Sequence, residues 1–289
     1  MKNIFKDSLT LLKFNSIFIQ PILLLFILIT FVYRYLTGLR GLNIQFLVLV
    51  FSLFLLSVAV QAGWFYINGL AVRNAQKKFD SNQERYQAVS ETFGKFFVGV
   101  GENFLKTLAV NIFIIALFVG CSYCVYRWGF HHVGSPQVMF DILNSVSQNP
   151  DGDMMKLAQE YSTPHNAKII LYWMGSSFIV FSVLSFIFVL YNAVITLDVI
   201  NPFKGLWKMI TFSFQHLFAL LGLFIILTLL NFAVNLLMSF SSANFIMLSF
   251  GLIFMFFYMN YYVFLIFLYY ERNKAKVNSD IGSEFNREV

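Results

Sequence analysis

Residues 191–230 read YNAVITLDVINPFKGLWKMITFSFQHLFALLGLFIILTLL, and this stretch decides the fold. Its opening residues close an apolar run that ends at Leu197-Asp198. Asn201-Pro202 then offers an N-cap and a first-turn proline, a favoured opening for a helix. Phe203, Leu206, Trp207, Ile210 and Phe214 follow at i, i+3, i+4, i+7 and i+11, which is one face of a helix. Lys204 and Lys208 stand beside that face, and from Leu217 the chain is apolar on every side. The pattern predicts a membrane span, an amphipathic helix lying in the interface, and a second span. Trp207, Lys204 and Lys208 are the expected interfacial anchors.

The same spacing recurs at Phe93, Phe96, Phe97, Val100 and Phe104, and a shorter version at Phe5, Leu9 and Leu12 beside Lys6, Asp7 and Lys13. Each stretch runs into a long apolar segment. The chain of 289 residues is 58% apolar and 12% charged, with mean hydropathy +0.71. Soluble domains carry roughly 25% charged residues. Windows at 17–36, 42–72, 105–126, 169–197, 217–240 and 245–270 each reach the roughly 20 residues that cross a hydrocarbon core. The expected fold is therefore an all-α integral membrane protein with six transmembrane helices. They form three hairpins, at about 17–72, 105–197 and 217–270, each preceded by a cytoplasmic-side interfacial amphipathic helix. Residues 1–270 read as a single membrane domain, with an outer helical loop at 127–168 and a polar cytoplasmic tail at 271–289.

Charge gives the orientation. With the N-terminus inside, fifteen of the 20 Lys and Arg residues fall in inner segments, and only Arg34, Arg40, Arg127, Lys156 and Lys168 fall outside. Positive residues collect on the cytoplasmic side of membrane proteins, so both termini are expected there, in a multi-pass protein of the cell membrane. The expected partners are the lipid bilayer, anionic headgroups at the basic inner rim and other membrane proteins. The net charge of +6 thus reflects topology, and nucleic acid is not an expected partner. The first apolar run is too long for a signal peptide, and no small-residue cleavage site follows it.

The repeat is visible residue by residue. A shift of 198 aligns Asn3, Phe5, Lys6 and Phe14 with Asn201, Phe203, Lys204 and Phe212, and Leu23, Leu25, Phe26, Ile27 and Thr30 with Leu221, Leu223, Phe224, Ile225 and Thr228. A shift of 110 relates the second and third copies. Three hairpins in one orientation place the repeat axis along the membrane normal, as in parallel-repeat transporters. Mitochondrial carriers share that plan, but they carry Pro-x-acidic-x-x-basic in each repeat. Here Pro21 is followed by Ile-Leu-Leu-Leu and no copy matches. The order in residues 191–230, a span ending near an acidic residue, then an amphipathic helix and another span, resembles a bacterial pattern. It is found in the membrane domain of some glycerophosphodiester phosphodiesterases and in stand-alone membrane proteins. That resemblance implies a polytopic plasma-membrane protein. It implies no phosphodiesterase activity, since the catalytic domain of those enzymes has no counterpart in these residues.

Candidate chemistry is sparse. Cys121 and Cys124 lie one helical turn apart, with His131 and His132 close behind. Four such ligands suit zinc or a redox pair, but Trp128 and Phe130 among them fit an interfacial aromatic belt better. Amides are the polar groups of the spans: Gln61, Asn68, Asn111, Asn192, Asn231, Asn235 and Asn260. They serve either as bonds between helices or as a polar solute path, and the lack of ionisable residues in the span centres favours the former. In the outer loop, Asn149-Pro150-Asp151-Gly152-Asp153 reads as the turn of a small helical hairpin. Glu102 with Lys106, and Asp198 with nearby lysines, read as surface ion pairs. The chain has no HExxH, GxSxG or phosphate-binding loop. The expectation is a non-enzymatic scaffold or assembly partner without a cofactor, for membrane or lipid-handling components. The alternative is a permease subunit for a small uncharged or lipid-like solute.

Overall fold

The computed structural model describes residues 2–38, 44–75, 77, 79–137, 140–141, 163–198, 201–241 and 245–285. The main elements are all helical: α1 (Lys2–Phe14), a 3-10 turn (Ser16–Ile19), α2 (Gln20–Gly38), α3 (Ile44–Asn74), α4 (Asn82–Gly94), α5 (Phe96–His132), α6 (Pro164–Leu197), α7 (Pro202–Gln215), α8 (Leu217–Ser241) and α9 (Phe245–Phe285). Six segments are long and apolar enough to cross a membrane: Ser16–Leu36, Ile44–Asn74, Phe96–His132, Pro164–Leu197, Leu217–Met238 and Met247–Lys274. The chain forms a polytopic membrane protein. The outer loop's hairpin and its Asp151-Gly152-Asp153 turn lie outside the described residues, as do 39–43 and 242–244 of the two short turns.

The chain divides into two compact units, Met1–Asn111 with Ile187–Val289, and Ile112–Phe186. In the larger unit the core is concentrated at one end of the spans. Val58–Val72 of α3 is largely buried, and Val189–Leu197 of α6 and Val263–Tyr270 of α9 are almost continuously so. Phe65 sits between Phe188 and Phe267, with ring centroids 5.5 and 5.9 Å away. Farther along, Tyr258 of α9 donates to the Leu227 carbonyl of α8 at 2.9 Å. Gly63 lets α3 and α5 approach closely, since a Cβ there would lie 2.7 Å from the Phe96 ring. Small residues at such crossings are how helices pack when lipid gives no hydrophobic drive between them.

In the smaller unit, α5 and α6 meet through aromatic side chains. Tyr172 donates to the Val125 carbonyl at 3.1 Å, and Trp173 donates to the Gly134 carbonyl at 3.3 Å. Phe118 and Phe181 lie 5.3 Å apart. Gly134, just past α5, has φ +128°, a conformation that side-chain-bearing residues rarely adopt.

Three short helices, α1, α4 and α7, are each broken from the following span by one residue. Asn15 has φ −106° and ψ 28°, Lys95 has −83° and 7°, and His216 has −113° and 23°. All three lie near the bridge region, which bends the chain without stopping it. The break in the first copy precedes that in the third by 201 positions, close to the shift of 198. The second copy is displaced. Its short helix is α4, and the second and third breaks are 121 positions apart instead of 110. Phe93 closes α4, while Phe96–Phe104 opens α5 as part of the spanning helix itself.

The reason for the displacement is chemical. The α4 sequence NQERYQAVSETFG is mostly polar, with only Thr92 buried, so it carries no apolar stripe to find. Its start was written in another code. Ser81 Oγ accepts the Glu84 N–H at 3.2 Å, and Glu84 reaches back to the Asp80 N–H at 3.1 Å, a variant of the S-x-x-E capping box. The connector after Asn74 therefore starts a new helix and does not prolong α3. Helix α9 continues beyond the apolar run through Phe285; residues 271–281 contain no proline or glycine to stop it, and Gly282 lies within its last turn.

Candidate functional site

In the larger unit the ends of α3 and α6 and the 270–272 stretch of α9 are joined to one another and to the short helices by polar contacts. Arg73 of α3 donates through Nη2 to the Leu197 carbonyl at the end of α6. The last carbonyls of a helix have no partner within it, so this guanidinium satisfies one of them. On the next residue, Asp198 Oδ2 accepts from Lys208 Nζ of α7 and, at 3.0 Å, from Tyr270 Oη of α9. The Lys208 and Asp198 side chains are 17% and 21% exposed. Burial pushes the Asp198 carboxyl up. The hydrogen bond and charge of Lys208, with Tyr270 and Lys274, outweigh that and hold it below the usual carboxylate range. Tyr191 adds a bond from its hydroxyl to the Pro202 carbonyl at 2.6 Å.

Helix α7 therefore has two apolar faces with different roles. Gly205, Met209 and Phe212 are buried. A Cβ on Gly205 would sit 2.7 Å from Ile195, and the Phe212 ring lies 4.9 Å from that of Tyr270. Phe203, Trp207 and Phe214, the residues that marked the helix in the sequence, are 80%, 73% and 74% exposed. Trp207 and Lys204 thus stand on the open side of α7, whereas Lys208 is turned inward to Asp198. The first copy behaves similarly. Ser8, Leu11 and Asn15 are the buried residues of the α1 segment, and Leu9 is 56% exposed. Arg272 of α9 pairs with Asp7 at 2.7 Å.

The intramembrane amides separate into two groups. Asn231 and Asn235 lie toward the outside of α8, and Asn235 donates to the Asn231 carbonyl at 2.8 Å. Asn68, Asn192 and Asn260 are fully buried. The first two donate to the carbonyl one turn back, at 2.8 and 2.9 Å. The side-chain oxygens of all three, and the Asn260 nitrogen, have no protein partner. Gln61 accepts from Asn111 at 3.1 Å across α3 and α5. Lys106 donates to Asn103 at 2.9 Å, where the sequence had suggested Glu102.

Cys121 and Cys124 are free and exposed. The His132 ring lies 4.9 Å from Trp128, and the His131 ring 6.5 Å from Phe130. Among the described residues no group of three or more His, Cys, Asp or Glu side chains is gathered for a metal ion. Arg73, Tyr270, Asp7 and Arg272 were not singled out as a site by the sequence. Their partners are distant in the chain, and only the placement of charge at span ends hinted at them. Compared with known protein families, curated proteins and solved structures, the chain matches none.

Proposed function

We propose that the protein is a non-enzymatic platform of the cell membrane. Its α1, α4 and α7 helices lie at the cytoplasmic face, each leading into one of three hairpins, and it assembles with membrane or lipid-handling components. The observation that carries this reading is the open face of α7, with Phe203, Trp207 and Phe214 outward beside Lys204 while the opposite face is clamped by Asp198. A clamped helix presenting aromatics and a lysine suits a surface meant for headgroups and neighbouring proteins. The positive-inside count supports the orientation, and the resemblance of residues 191–230 to a bacterial membrane-domain pattern supports the setting. Affinity purification in mild detergent tests it. A reproducible membrane-protein partner lost in the Phe203→Ala/Trp207→Ala variant is expected. No reproducible partner together with no lipid preference overturns the reading.

One observation favours a second reading, a permease subunit for a small uncharged or lipid-like solute. Asn68, Asn192 and Asn260 hold unpartnered polar atoms inside the helical core, where each such atom costs free energy unless something satisfies it. Transport assays on reconstituted Asn192→Leu/Asn260→Leu protein test this reading. Loss of a measured flux supports it, and an unchanged flux rules out these amides as the path.

A further inference from the structure

Between α1, the end of α3, α4 and α9 lies a cavity of about 180 Å³, lined by Arg85, Arg272, Asp7, Thr10, Asn74 and Thr92 among others. That is below the roughly 300 Å³ at which drug-sized pockets begin, so it suits a headgroup fragment and not a whole lipid. Four of its polar side chains are already committed to one another. Arg272 holds Asp7 at 2.7 Å, and Asn74 donates to Thr92 at 3.2 Å. Arg85 is different. Its guanidinium carbon lies 4.2 Å from the centre of the Phe14 ring and 5.6 Å from that of Phe79, and none of the ion pairs among the described residues uses it. The neighbouring Glu84 carboxylate is turned back to the Asp80 N–H.

A guanidinium stacked on an aromatic face keeps its N–H groups directed outward in its own plane, where they match the oxygens of a phosphate or carboxylate in pairs. Phe14 and Phe79 thus fix the donor's position, and the Asp7–Arg272 pair leaves the lining with one net positive charge. One residue along α4 from Thr92, Phe93 stacks on Phe18 at 6.2 Å. Beyond that stack opens an apolar groove of about 430 Å³, lined by Pro21, Leu24, Leu28, Leu56 and Phe97 among others.

We propose that the Arg85 cavity binds a phosphate group, carried either by an anionic phospholipid whose chain follows the apolar groove or by a free phosphate. The proposal rests on the platform reading above and gives that platform a specific anion site, distinct from the general attraction of its basic rim.

The test is ligand-dependent thermal stabilisation of the purified full chain in neutral detergent. The probes are short-chain phosphatidylglycerol, short-chain phosphatidylcholine, glycerol phosphate and inorganic phosphate. Saturable stabilisation is expected with phosphatidylglycerol, with apparent affinity weakened roughly tenfold or more by Arg85→Gln, the loss of charge-assisted hydrogen bonds. Arg85→Lys keeps charge and fold but loses the paired geometry, so it is expected to fall between. Stabilisation by phosphatidylglycerol alone identifies a lipid headgroup, and equal effects of inorganic phosphate identify a free phosphate site. If both Arg85 variants respond as the parent does while Lys204→Gln does not, the cavity proposal is overturned and the basic-rim reading stands. If no probe stabilises any variant, the cavity proposal falls, and the platform reading is then decided by its own purification test.

Discussion

Neutralising Asp198 should loosen the junction that holds α6, α7 and α9 together. In Asp198→Asn the side chain keeps its size, but Lys208 Nζ and Tyr270 Oη lose a charged acceptor. Hydrogen bonds to charged groups contribute roughly 1.5–3 kcal/mol when shielded, whereas fully exposed pairs contribute about 0–1 kcal/mol. With these side chains 17% and 21% exposed, a loss of about 1–3 kcal/mol follows. The sign of the pH dependence is fixed. The folded-state carboxyl titrates below its unfolded value of about 3.9, so the unfolded chain takes up the proton first as pH falls. The stabilisation is fully present above that value and disappears as pH drops through the folded one. Unfolding in detergent, followed by tryptophan emission from pH 7 down to about pH 3, reads both effects. Asp198→Asn should flatten the part of the acid slope that the parent shows. A double-mutant cycle with Lys208→Gln should return a coupling energy of about 1–2 kcal/mol. A coupling near zero, with the acid slope unchanged in Asp198→Asn, would refute the clamp.

Two glycines two residues apart, and so on opposite faces of α5, should respond in opposite directions. A Cβ on Gly99 would strike Tyr66, whereas Gly101 has nothing within 4 Å. Gly99→Ala should therefore destabilise by about 1–3 kcal/mol, and Gly101→Ala should stabilise by up to about 1 kcal/mol through helix propensity; thermal melts of the two variants check this. Asn260→Leu should leave stability unchanged or raise it, since it removes two unpartnered buried atoms. Gln61→Leu should lose roughly 0.6–2 kcal/mol with the Asn111 bond, measured in the same melts. Arg73→Met should cost about 1–3 kcal/mol by leaving the Leu197 carbonyl without its donor, and amide hydrogen exchange at the end of α6 should rise.

The spans were legible because nothing else produces long uncharged apolar runs, and the ends of α6 and α7 were legible because Leu197-Asp198 and Asn201-Pro202 are strong local signals. An apolar stripe does not mark every short helix that precedes a span. Helix α4 is polar and was readable only from its Ser81–Glu84 cap, while the Phe93–Phe104 stripe belongs largely to the start of a span. The side of α7 that packs was also hidden. Gly205, Met209 and Phe212 are less conspicuous than Phe203, Trp207 and Phe214, and periodicity does not say which of two apolar faces meets protein and which meets lipid. Long-range ties such as Asp7–Arg272 leave no local trace. The amides could be counted, but only the fold separates outward Asn235 from fully buried Asn260.

Sidedness of the short helices is the claim on which the rest depends, and cysteine labelling measures it directly. In a Cys121→Ser/Cys124→Ser background, single cysteines replace Lys204 at the open edge of α7 and Gln137 beyond the end of α5. Intact cells and inverted membrane vesicles are then treated with a membrane-impermeant maleimide. The account predicts that the position-204 cysteine labels only in inverted vesicles and the position-137 cysteine only in intact cells. Labelling of both from the same side would contradict it.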